Sequence, residues 1–138
     1  MREVTNDPSL PSLVFVPSIT FETATGKMSV EGMYGGPKDD TVYIASGSIR
    51  EKFPPEQVNP ITLIIAAHET RHRVQVRIFG EKTACAAGLL AAGAYADDRH
   101  EVDAWETAMR IFEGAYPHTP TSIGIGGRQY ATSNYRPY

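Results

Sequence analysis

The 138-residue sequence predicts an α+β domain, with a small N-terminal antiparallel or mixed sheet followed by two helices. Three observations point there. Short apolar runs broken by Pro and Gly clusters fill residues 1–49. A long stretch with matched start and stop signals follows at 60–79. A second apolar stripe at helical spacing occupies 98–113.

The strand signals come first. "SLVFV" (12–16) is a short apolar run ended by Pro17, "KMSVEGMY" (27–34) alternates weakly and closes on Gly35-Gly36-Pro37, and "TVYIAS" (41–46) places Val42 and Ile44 on one face. Residues 50–59, "REKFPPEQVN", read as a proline-broken connection. Asn59 then suits an N-cap, Pro60 the first helical position, and Gly80 the stop of a helix of about 20 residues and about 30 Å. The alanine-rich stretch 83–96 fits either a small-residue helix or a compact loop. From Asp98 to Glu113, Val102, Trp105, Met109 and Phe112 form one stripe, with Gly114 as the stop and Pro117 preventing resumption. The tail 114–138 reads as coil-rich, with room for a short strand at "SIGIGG".

Composition narrows the function. One domain accounts for the whole length, 1–138. A net charge of −3, from 13 basic and 16 acidic residues, gives no basic surplus for nucleic acid. The single cysteine, Cys85, excludes an internal disulfide and a cysteine-based zinc cluster, and reads as a small buried residue. The longest apolar stretch, about 13 residues, is too short for a bilayer, and the N-terminus lacks a secretory pattern. The expectation is a cytoplasmic protein with no membrane partner.

The chemistry concentrates in "AAHETRHRVQ" (66–75). His68 and His72, four apart on a helix, turn both imidazoles to one face within reach of one metal ion. Glu69, about 100° around the helix, approaches a metal-bound water rather than the metal. In this HExxH arrangement zinc acidifies the water and Glu69 acts as general base while the water attacks a carbonyl. By composition alone the pattern arises in roughly 1 in 100 chains of this length. The bland reading is two packed, metal-free histidines.

A catalytic zinc commonly has three protein ligands. "DDRHEVDAWETA" offers Asp97, Asp98, His100, Glu101 and Asp103 for the third. Glu101 fits best, because it shares a face with Ala104 and Ala108, whose small size admits a close helix approach. It could equally close a capping box with Asp98. Asp103 suits a group that orients a ligand histidine, or a solvated surface position. Arg71 and Arg73 read as solvated or paired with acids.

With these residues placed, the sequence resembles the gluzincin branch of the zincin metallopeptidases. "HETRH" (68–72) and the E-x-x-A-x-x-x-A setting of "EVDAWETA" (101–108) carry the resemblance. The order of "TVYIAS", a connection and the HExxH helix, and the exit "AMRIFEGAYP", are similar to the small bacterial and phage ImmA/IrrE-like peptidases. The likeness covers about residues 41–117. It implies a minimal zincin-like fold, Zn2+ on His68, His72 and Glu101, and peptide or protein substrates. It also implies that strand 41–46 is an edge strand that pairs with extended substrate; an ordinary core strand is the alternative. A peptidase further needs an oxyanion donor, for which Tyr116, His118 and Tyr130 are available. Two other functions remain open: a zinc protein without turnover, and a phage or bacterial regulatory or assembly protein acting through its tail.

Overall fold

A computed structural model describes residues 11–24, 26–79, 99–125 and 127–136. Gly80, the stretch 83–96 with Cys85, Asp97 and Asp98 lie outside the described residues, as do residues 1–10. The described chain is α+β. In order it contains β1 (Ser12–Val16), β2 (Ile19–Thr23), β3 (Gly26–Val30), β4 (Gly32–Tyr34), β5 (Thr41–Ala45), α1 (Ser46–Lys52), α2 (Pro55–Phe79), α3 (Arg99–Ala115), β6 (Ser122–Ile125) and β7 (Arg128–Ala131).

The main sheet is mixed, in the order β1-β5-β4. β5 runs parallel to β1 and antiparallel to β4. It is therefore the central strand, and the expectation that 41–46 forms a substrate-pairing edge is not met. Its burial explains why: Thr41, Val42, Ile44 and Ala45 are all buried, so both faces are covered. The edge beside the helices belongs to β4 instead. The predicted strand 27–34 is two strands separated at Glu31. Its first part pairs with β2, a strand the sequence reading did not anticipate, in an antiparallel ladder with Phe21 opposite Met28.

The long helix begins five residues before the predicted Pro60. Pro55 takes the first helical position, where a missing N–H costs nothing, and Glu56 complements the positive end of the helix. Asn59 is thus helical rather than a cap, and Pro60 is tolerated inside the helix near its start. The predicted connection 50–59 is divided between the end of α1, a break at Phe53-Pro54 and the first turn of α2.

α2 is apolar on two sides because it lies between two layers. Ile65, with Val58 and Ile61, packs on Val42, Ile44 and Ile49. Ile64 and Ala67 pack on Ala108, Met109 and Phe112 of α3. Further along α2, His72 and Gln75 meet Glu101 and Asp103 from the start of α3, so the two helices run antiparallel. α3 passes the predicted stop at Gly114 and ends at Ala115. Tyr116 makes the last helical bond, to the Phe112 carbonyl, and Pro117 both lacks a donor and turns the preceding residue away from helical geometry. The tail is more ordered than a coil. β6 and β7 form a hairpin whose Ile123, Ile125 and Tyr130 close over the α2–α3 core. Among the described residues no helix is long and apolar enough to cross a membrane.

An ion pair anchors the β4–β5 turn to α2. The Arg73 side chain is buried, and its guanidinium donates to Asp40 at 2.6 and 3.2 Å. Asp40 has φ +48°, a left-handed conformation that Asp and Asn tolerate, and also accepts from the Tyr34 hydroxyl at 2.9 Å. The Arg73 hydrogen bond holds the Asp40 carboxyl below its usual value of 3.8 against the opposing effect of burial. A depressed carboxylate stabilises the fold above its unfolded pKa, and that contribution is lost as pH falls through the folded value. Asp40→Asn keeps the backbone conformation and removes the charge. It should cost about 1–2 kcal/mol at neutral pH, the low figure reflecting partial exposure of Asp40. Urea unfolding repeated at decreasing pH should show wild type and variant converging below about pH 4; a constant difference would rule out the ion pair as the cause.

Candidate metal centre

The antiparallel contact of α2 and α3 brings four ionisable side chains to one buried point. His68, Glu69, His72 and Glu101 are all less than a tenth exposed. His68 Nε2 and His72 Nε2 lie 3.1 Å apart, as one helical turn between i and i+4 allows. Glu101 reaches both: Oε1 is 3.1 Å from His68 Nε2 and Oε2 is 2.8 Å from His72 Nε2. Ala108, fully buried against Ile64 and Ala67, and Ala104, also fully buried, permit the close approach.

Ligand atoms of His68, Glu69 and His72 lie within 4.8 Å of one another, a group that could hold a metal ion. Glu101 adds a second carboxylate beside this group, and the two glutamates approach the histidines differently. Atoms bonded at about 2.0–2.1 Å to one tetrahedral ion stand about 3.3 Å apart. His68 Nε2 and His72 Nε2, 3.1 Å apart, are close to that edge, and Glu101 approaches each of them with a different oxygen, at 3.1 and 2.8 Å. Glu69 stands further off, with Oε2 3.8 Å from His68 Nε2. Its carboxylate is taken up by the backbone N–H of Tyr34. Two imidazoles and two carboxylates therefore converge where a metal ion could be held, with Glu101 nearer to His68 than Glu69 is.

The electrostatics follow from burial and pairing. Burial raises Glu69, and Glu101 adds to this, while His68, His72 and the Tyr34 N–H act the other way. At Glu101 burial is outweighed by hydrogen bonds from both histidines, which lower it to about 2. At His72 burial is outweighed by Glu101 and Glu69, which raise it to about 9.

His68 is packed against Trp105, with ring centroids 3.8 Å apart and the planes tilted by 32°. His72 Nδ1 is hydrogen-bonded to Gln75 Oε1 at 2.8 Å. Arg71 pairs with Asp103 at 2.7 Å, and Asp103 accepts from Gln75, so Asp103 bears on His72 through an intermediary. His100, an alternative third ligand by sequence, contributes its backbone carbonyl to Gln75. Of the three oxyanion candidates, Tyr116 and His118 follow the end of α3 and Tyr130 lies in β7. Tyr116 stacks on Phe112 beyond the end of α3, about 22 Å along the axis from Glu101. His118 is exposed in the turn that follows. Tyr130 is buried in the apolar core, its ring centroid 6.4 Å from that of Trp105, which packs on His68.

The sequence reading missed Gly32, Tyr34 and Gln75. Gly32 sits where β4 crosses α2; a Cβ there would lie 2.5 Å from Ile65 Cγ2 and 3.1 Å from Glu69 Cγ. A glycine inside a strand signals such a crossing. Gln75, one turn past His72, was visible by spacing alone. Tyr34 acts through its backbone and leaves no signal. Gly32→Ala should push β4 off α2 and loosen the Tyr34–Glu69 bond, with a loss of about 1–3 kcal/mol in urea unfolding. An unchanged stability would show that the strand is not held as closely as this.

Comparison with known proteins yields no matching family model, no matching curated protein and no matching solved structure.

Proposed function

We propose that the chain is a zinc-dependent peptidase of the zincin kind. The observation that carries the reading is the meeting of His68, His72 and Glu101 at ligand spacing with a second, non-ligating carboxylate, Glu69, alongside. Nitrogen and carboxylate donors in a near-tetrahedral set suit zinc. When bound, zinc would lower the pKa of its water and polarise a substrate carbonyl. His68, His72 and Glu101 would hold it. Glu69, made more basic by burial, would accept the proton of the attacking water and pass it to the leaving amine.

The position of β4 supports peptide as the substrate class. The Gly35 N–H bonds to Thr41 and the Glu31 carbonyl to Ala45, so residues 31, 33 and 35 turn their backbone groups to β5. Gly32 and Tyr34 turn theirs the other way, to the unpaired edge where Tyr34 meets Glu69. An extended chain laid on that edge would pass the base and the metal ligands.

Protein purified without added metal should carry zinc near one equivalent by elemental analysis, and His68→Ala and Glu101→Ala should each lose it. Zinc retained by the Glu101 variant would redirect the third ligand. Glu69→Gln should keep its zinc and lose about 10²–10⁴-fold of the cleavage of a denatured protein mixture. Undiminished cleavage by this variant would sink the mechanism, and zinc without any cleavage by wild type would leave the non-catalytic metal protein as the better reading.

A further inference from the structure

We propose that Gln75 is a positioning residue that fixes which nitrogen His72 presents to the metal. The inference rests on the zinc reading above and adds the device that prepares one of its ligands.

Gln75 is 2% exposed, and the two ends of its amide have different neighbours. Nε2 lies 2.8 Å from the His100 carbonyl oxygen and 2.8 Å from Asp103 Oδ2. A carbonyl and a carboxylate only accept, so this end of the amide must be the –NH2. The other end is then a carbonyl oxygen, 2.8 Å from His72 Nδ1. It too only accepts, so Nδ1 must carry the hydrogen. The nitrogen left for a metal is Nε2, the atom facing His68 and Glu101.

Each step is decided by the one before it. Arg71 holds Asp103 through two contacts of 2.7 and 3.3 Å, Asp103 with the His100 carbonyl orients Gln75, and Gln75 orients His72. His100, Glu101 and Asp103 all lie within the first five residues of α3. Docking that end of the helix therefore delivers a ligand to the metal and, in the same motion, locks the support of another ligand on α2. A partner that orients a ligand imidazole typically accounts for 10–100-fold in metal affinity.

The test uses Gln75→Met, which keeps the volume and removes the hydrogen bonds. In metal-free wild type the His72 Nδ1–H should give a slowly exchanging ring resonance in the proton spectrum, and the variant should lose it. Zinc affinity, measured by competition with a chromophoric chelator, should fall about 10–100-fold while the circular dichroism of the variant stays native. Gln75 acting only as buried packing would change stability without moving zinc affinity, and an affinity within about twofold of wild type would overturn the proposal. Asp103→Ala, near the surface, serves should the first variant not fold; a smaller loss of affinity is expected, because His100 still holds the amide, and no loss would count against the relay. A wild type that binds no zinc would overturn the peptidase reading, and the ring resonance would still decide the role of Gln75.

Discussion

Placing Glu101 between two imidazoles in the protein interior is the interaction on which the arrangement depends. Taking an ion out of water costs several kcal/mol even after relaxation, and the cost is recovered only if the charge meets well-placed partners. His68, Glu69, His72 and Glu101 are all buried, so none of them can be satisfied by solvent alone. A glutamate on α3 reaches α2 only when the helices are close, and Ala104 and Ala108 set that distance. The attraction that drives the helices together comes from elsewhere along the same contact. Ile64, Ala67, Met109 and Phe112 bury apolar surface at the C-terminal end of α3, and the polar cluster at its N-terminal end uses the proximity this provides.

The sheet imposes a second constraint, on Glu69. Its carboxylate is directed by a backbone N–H of β4, so the strand must lie against α2 within hydrogen-bonding reach. Gly32 removes the side chain that would prevent this. The turn after β4 is then tied back to the same helix, because Arg73 holds Asp40 and Asp40 accepts from Tyr34. The carboxylate at position 69 and the cation at position 73 are one turn apart on α2. One face of a single helix turn therefore carries both the group that β4 orients and the group that holds β4 in place.

How much of this was legible in the sequence depends on the range of the signal. The α+β order, the strand at 41–45 and the later apolar stripe follow from local patterning, and the spacing of His68, Glu69 and His72 from helical geometry. The selection of Glu101 followed from the small residues on its face. The errors arose where tertiary context overrode a good local signal. Pro60 satisfies every rule for a helix start, yet Pro54-Pro55 stands upstream and the helix begins there. Gly114 satisfies the rule for a stop, yet the stronger prohibition at Pro117 sets the end. "TVYIAS" has the alternation of a half-buried strand, and only strand order reveals that β5 is covered on both faces and that β4 holds the edge. Hydrogen bonds from backbone groups, such as Tyr34 to Glu69, have no residue signature at all.

Charge balance argues for the kind of occupant the cluster favours. Glu69 and Glu101 bring two carboxylates into one buried space. The cluster responds by attracting positive charge. Burial works against a charged imidazole at His72, yet Glu101 and Glu69 outweigh it and hold the ring protonated up to about 9. Burial likewise works against the Glu101 anion, and the histidines outweigh it. A proton on His72 and a divalent cation on the imidazole nitrogens are two ways of meeting one electrostatic demand, and they compete for the same lone pair. Ligand histidines must be deprotonated to bind, so uptake of a dication here displaces a proton and weakens as the solution becomes more acidic. The fold has therefore collected, at one helix contact, buried carboxylates whose charge is met by positive charge placed beside them.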